Sequence, residues 1–193
     1  MGKLFRELNR QAKTRGLANE FTVCFEATHH GPYLETPAMF MEIGSAASEW
    51  SKECAGECWA DTIENTILQP ENEKSSQRVV LSVGGGHYVA FMRDLVLANE
   101  DITPGHMLPS YLLDDVMKGE KEWAEAIAEA IDATRRACEP AEHAEAKICV
   151  YVDKKSFKSE ARRAVVGELE ARGIEYTMNK KDLNNKRVPA SSS

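Results

Sequence analysis

Two short turns gather the residues of this chain best suited to chemistry. The first follows the apolar run Phe21-Thr22-Val23-Cys24-Phe25-Glu26-Ala27 and reads Thr28-His29-His30-Gly31-Pro32. The second follows Arg78-Val79-Val80-Leu81-Ser82-Val83 and reads Gly84-Gly85-Gly86-His87-Tyr88. Three of the five histidines stand at these two places. A histidine on an exposed turn can serve near neutral pH as general base, oxyanion donor or metal ligand. The three glycines leave backbone N–H groups unshielded, so their turn can hold a phosphate, a carboxylate or a developing oxyanion. The same glycines would equally serve a tight strand-to-helix crossover that needs positive φ. No Lys-Ser/Thr follows them and the spacing is not GxGxxG, which excludes both common nucleotide loops. There is no Gly-x-Ser-x-Gly elbow, and no cysteine sits beside either turn as a nucleophile. An attacking water, activated by a base or a metal, is therefore expected. Neighbours in extended chain point to opposite faces, so only one of His29 and His30 can look into a given pocket. Glu26 shares the face of His30 and lies opposite His29.

The elements that must carry these turns alternate. Leu4, Leu8 and Ala12 predict an amphipathic first helix closed by Gly16. Strands are expected over Phe21–Ala27, Ala38–Gly44, Val79–Val83, Ile148–Val152 and Ile174–Thr177. Ile102–Leu108 reads as an edge or bulged strand because of Pro104. Helices are expected from a Ser45 or Ser48 cap to Leu68, over Val89–Ala98, over Lys121–Cys138, and from a Ser156 cap to Arg172. This order predicts an α/β three-layer sandwich with a mixed, mostly parallel sheet, as one domain over residues 1–178. The polar stretch 179–193 is expected to be a disordered tail. In such sheets the carboxyl ends of neighbouring strands form the crevice where chemistry sits, which would bring His29, His30 and His87 together.

Composition narrows the class. At 193 residues the chain can bury a core of its own, and no apolar run approaches the ~20 residues of a membrane span. The opening charged helix argues against a secretory signal. Arg6 stands where a myristoylation site needs Ser or Thr, despite Gly2. Cys24, Cys54, Cys58, Cys138 and Cys149 are odd in number and spread out, without a second Cys/His pair to complete a zinc spacing beside Cys54 and Cys58. They read as reduced thiols of a cytoplasmic protein. The net charge of −7 is uneven, because both ends of the chain are basic and the middle is strongly acidic. Either basic end could meet phosphates, or could be no more than a solvated surface.

Taken as an ordered set, Glu26-Ala27-Thr28-His29-His30-Gly31-Pro32 and Gly84-Gly85-Gly86-His87-Tyr88 resemble the archaeal and plant type of D-aminoacyl-tRNA deacylase. Met39-Phe40-Met41-Glu42-Ile43-Gly44-Ser45, Gly105-His106-Met107-Leu108 and Ser156-Phe157-Lys158 extend the resemblance over nearly the whole chain. The resemblance implies a fold similar to the phosphorylase and peptidyl-tRNA hydrolase sandwich. It implies hydrolysis of the ester between a D-amino acid and the tRNA 3′ ribose, a proofreading step of translation, with related activity on aldehyde-modified D-aminoacyl-tRNA. It also implies zinc, for which His29, His30 and His87 are the candidate ligands. Three features depart from the family pattern. The family's N-terminal part, with its own histidine-bearing motifs, does not precede the first helix. Val89-Ala90-Phe91-Met92-Arg93 stands where the family reads Ala-Pro-Arg, and Lys154 replaces a histidine in Asp153-Lys154-Lys155-Ser156.

On this reading His30 and His87 are the central catalytic groups, and His29 and Glu26 orient them. Thr28, Gly84, Gly85, Gly86, Tyr88, His106 and Lys155 contact substrate, with Lys155, Lys158 and Arg162 near the tRNA backbone. Two alternatives stand beside it. One is a module that binds aminoacyl-tRNA or a small ligand without turning it over. The other is an unrelated zinc hydrolase built on the same three histidines. Self-association is left open, and no membrane partner is expected.

Overall fold

The computed structural model describes residues 1–27, 34–68, 78–111, 122–138 and 146–184. Its centre is a four-stranded sheet made of β1 (Arg78–Val83), β2 (Ile102–Leu108), β3 (Lys147–Val152) and β4 (Tyr176–Thr177), in the order β2-β1-β3-β4. Every pairing is parallel, so the expected mixed sheet is corrected, among the described residues, to an all-parallel one. Parallel strands are buried on both faces, and β1 shows the corresponding pattern, with all six residues buried. Val80 faces one layer and Leu81 and Val83 the other. In β3, Cys149 and Tyr151 alternate in the same way with Val150 and Val152. Val150 and Val152 are fully buried, and each such side chain contributes about 1.5–3 kcal/mol.

Helices cover both faces, which makes three layers. On one face lie α1 (Gly2–Thr14), α4 (Ala90–Ala98) and the terminal α7 (Lys180–Asn184), through Phe5, Met92, Val96 and Leu183. On the other lie α5 (Glu122–Cys138) and α6 (Ser159–Ala171), through Ile127, Ile131, Val165 and Leu169. α7 falls within the expected disordered tail. Leu183 is only 5% exposed, so apolar burial carries the ordered chain past 178. Arg6 locks α1 to α4. Its guanidinium donates to the carbonyls of Val96, Asn99 and Ile102 at 3.1–3.3 Å, which ties α1 to the C-terminal end of α4 and the start of β2.

β2 runs along an edge, and its register against β1 shifts between Val80 and Ser82. Pro104 lies on that strand, as expected of a residue that cannot donate to a ladder. Two other expected strands do not form. Phe21–Ala27 is extended but joins no ladder; it lies across the α1/α4 layer, with Phe25 stacked on Phe5 at 3.7 Å between ring centroids. Ala38–Gly44 is also without a ladder, and most of it is exposed. Both runs are apolar enough for a strand, but β-propensity acts only where a neighbouring strand supplies hydrogen bonds and cross-strand contacts.

The expected long helix after Ser45 is broken into α2 (Ala47–Trp50), α3 (Glu53–Ile63) and a π-helical turn, Glu64–Leu68. Extended backbone at Lys52 makes the first break, and the cap of α2 is Ala46 rather than a serine. α6 starts at Ser159 with Lys158 as its cap, because the hydroxyl of Ser156 is committed elsewhere.

Candidate functional site

The helix after β1 packs on one face of the sheet and the helix after β3 on the other. Open α/β sheets carry their ligand sites at the carboxyl ends of neighbouring strands whose following helices lie on opposite faces. Gly84–His87 lies after β1, Asp153–Ser156 after β3, and Pro109–Tyr111 after β2.

Hydrogen bonds tie these three loops together. The N–H of Gly84 donates to Leu108 O at 2.8 Å, and Ser110 donates to Gly85 O through both its N–H (3.0 Å) and its hydroxyl (3.1 Å). From the other side, Gly85 N–H donates to Ser156 Oγ at 2.8 Å, and Ser156 Oγ–H donates to Asp153 Oδ2 at 2.9 Å. Lys155 N–H adds a bond to Asp153 Oδ1 at 3.3 Å. Gly84 (φ +97°) and Gly85 (φ +90°) make the bend that this stitching needs. Of the three glycine N–H groups, two are thus spent within the protein. Gly86 N–H is the one with no acceptor among the described residues, and Gly86 is exposed. The turn ends in Val89 at φ 36°, ψ 52°, a left-handed conformation that costs a β-branched residue about 1–3 kcal/mol. Burial of the Val89 side chain in the α4 layer, at 4% exposure, holds it there.

His87 is the centre of the group. Its Nε2 lies 3.2 Å from Glu26 Oε1, and its Nδ1 lies 3.2 Å from the Tyr111 hydroxyl. Ala27 N–H donates to His87 O at 2.8 Å, which brings Glu26 beside the imidazole. Phe25 and Ala27 point into the core. Alternation along the extended segment then turns Glu26 outward, toward His87. The ring of Tyr88 stands edge-on to that of His87, with centroids 4.6 Å apart, and is mostly exposed.

The structure therefore brings together Glu26, His87, Tyr88, the three glycines and the loop bearing Lys155. His106 sits apart, half-buried on β2, where its Nδ1 lies 3.0 Å from Thr134 Oγ1 of α5. Thr28, His29 and His30 lie outside the described residues. Tyr111, Ser110 and the Ser156–Asp153 pair were not among the expected site residues. The signal that could have found them is positional, since all follow a parallel strand at its carboxyl end.

Among the described residues no three His, Cys, Asp or Glu side chains converge as a metal site would require. Of the candidate ligands only His87 is described, and both its ring nitrogens already face protein groups. The described residues thus do not make up a zinc site by themselves. All five cysteines are free thiols, and burial pushes Cys149 up to about 12.

Burial also holds the His106 imidazole below its usual range, so His106 binds protons more readily in the unfolded chain than in the folded one. The stability this gives is complete above a pH of about 6.5 and is lost as pH falls through that value toward the lower folded pKa. Glu7, pulled down to about 2 chiefly by its hydrogen bond from Arg10, loses its contribution only below pH 4.5. Urea midpoints measured from pH 7.5 to 5 are expected to fall, and His106→Gln is expected to flatten that decline. A decline of unchanged slope in the variant would show that His106 is not its source.

The family model for D-aminoacyl-tRNA deacylase matches residues 1–177. A D-aminoacyl-tRNA deacylase of Arabidopsis thaliana is 32% identical over 184 residues, which cover 86% of this chain and 56% of the relative. One from Pyrococcus abyssi is 36% identical over 157 residues, covering 81% and 51%. The chain spans about half the length of these curated relatives. The crystal structure of the conserved protein of unknown function AF0625 matches with a TM-score of 0.74 at 24% identity, over 98% of this chain and 59% of that one, a likeness of fold. No helix among the described residues is long and apolar enough to cross a membrane. The match over residues 1–177 includes every strand of the sheet and both glycine and histidine turns, and the chain belongs to the D-aminoacyl-tRNA deacylase family.

Proposed function

We propose that this chain hydrolyses the ester joining a D-amino acid to the 3′-terminal ribose of tRNA, as a cytoplasmic proofreading enzyme. The observation that carries the proposal is the Glu26–His87 pair beside the Gly86 N–H, at the carboxyl end of β1, in a chain of this family. The His87 imidazole takes a proton from the attacking water, whose oxygen bonds to the ester carbonyl carbon. Glu26 holds the ring and stabilises the imidazolium that forms. Gly86 N–H bonds to the carbonyl oxygen as negative charge develops on it. The ester C–O bond then breaks, and the ribose oxygen leaves with the proton from His87. Lys155, Lys158 and Arg162, on the loop after β3 and the start of α6, lie where a tRNA backbone entering the crevice would run. His29 and His30, on the segment after Ala27, remain candidates for the same pocket; the same step on aldehyde-modified D-aminoacyl-tRNA needs no additional group.

Incubating D-Tyr-tRNA with the chain in ¹⁸O-water tests the reaction class. Free D-tyrosine carrying one labelled carboxylate oxygen, with intact tRNA released in equal amount, is the expected result. Saturable binding of D-Tyr-tRNA without product would overturn the proposal in favour of a binding module.

A further inference from the structure

Tyr111 contacts the site through the second nitrogen of His87, and nothing in the sequence motifs nominates it. Its hydroxyl lies 3.2 Å from His87 Nδ1, across 24 residues of chain. The segment that carries it is fixed to the glycine turn at three further points: Gly84 N–H to Leu108 O, and both Ser110 donors to Gly85 O. Tyr111 is 41% exposed, so core packing does not account for its position. On the opposite edge of the ring, the Glu26 carboxylate can only accept, so Nε2 must be the protonated nitrogen of the neutral imidazole. Nδ1 then presents its lone pair, and the Tyr111 O–H is the donor that satisfies it.

We infer that Tyr111 is a positioning residue for His87, fixing with Glu26 the tautomer and ring plane of the imidazole. The assignment builds on the hydrolytic reading of the same site. A base held from one edge only rotates about its Cβ–Cγ bond. Held from both, it keeps one ring plane, and ångström-scale misplacement of a catalytic group is costly. When substrate is bound, the attacking water stands between Nδ1 and the Tyr111 hydroxyl, giving its proton to Nδ1 and accepting from the hydroxyl, so the ring stays held from both edges.

Imidazole ¹⁵N spectra of the substrate-free chain, wild type against Tyr111→Phe, read the arrangement without any turnover. The wild type is expected to show His87 with Nε2 protonated and Nδ1 bare. In Tyr111→Phe the Nδ1 resonance is expected to move downfield, toward the position of a nitrogen that accepts no hydrogen bond. In parallel, kcat on D-Tyr-tRNA is expected to fall about tenfold, with KM within twofold of wild type. A wild-type His87 protonated on Nδ1 would overturn the assignment, as would an Nδ1 resonance that the substitution leaves in place. A chain that shows the downfield shift but hydrolyses neither enantiomer's ester supports the role of Tyr111 and contradicts the hydrolytic reading instead.

Discussion

Replacing His87 by alanine is expected to slow deacylation of D-Tyr-tRNA by about 10²–10⁴-fold while leaving the chain folded. The two effects separate because the two halves of the residue do different work. The backbone carbonyl accepts the Ala27 N–H, which pins the segment carrying Glu26, and the His87→Ala variant would keep that bond. The side chain is 35% exposed, so its loss opens no cavity in the core. Single-turnover rates and a thermal melt on the same preparation check both halves of the expectation. A melt lowered together with the rate would mean that His87 supports the fold rather than the reaction.

The second large effect is on stability. Gly84→Ala is expected to cost about 2–4 kcal/mol, lowering Tm by roughly 10 °C. Backbone at φ +97° already disfavours any residue with a Cβ. The added carbon would also stand 2.8 Å from Phe157 Cε2, 3.0 Å from Ser156 Cβ and 3.3 Å from Asp153 Cβ. The phenyl ring is itself buried in the core. The two Cβ atoms move only with the backbone of the loop after β3, and that loop holds the Ser156–Gly85 bond. Gly85→Ala meets no atom within 4 Å and carries only the strain of φ +90°, about 1 kcal/mol. Gly86→Ala meets neither obstacle and is expected to stay within about 0.5 kcal/mol of wild type. Melting temperatures should therefore rank Gly84→Ala lowest, then Gly85→Ala, then Gly86→Ala. Equal losses at all three would show that turn flexibility, not close approach to the loop after β3, is what the glycines supply.

The parts of the fold visible in the amino-acid order were those set by local pattern. The buried run Arg78–Val83 forms a central strand, the helix after the glycine turn starts within a residue of its expected place, and Pro104 lies on the edge strand. What the order did not show depended on a partner distant in sequence. Phe21–Ala27 has a strand's composition, yet Phe25 finds its contact on Phe5 of α1 rather than in the sheet. Ser156 has a capping residue's chemistry, but Asp153 and Gly85 compete for its hydroxyl and win, so α6 begins three residues later. The site divides in the same way. Glu26, His87 and the glycines were legible from motif and spacing, and the backbone bond from Ala27 to His87 brings the two motifs together. Tyr111 was not, because its link to His87 is a side-chain contact that exists only after β2 has paired with β1.

The measurement that bears most directly on function is the deacylation time course of D-Tyr-tRNA against L-Tyr-tRNA with the chain as it stands. Rapid loss of the D-ester alone is the expected result, since a chiral pocket around His87 need present only one enantiomer's carbonyl to the base. Loss of neither ester, or of both at equal rate, from a folded sample would contradict a selective deacylase built on these residues.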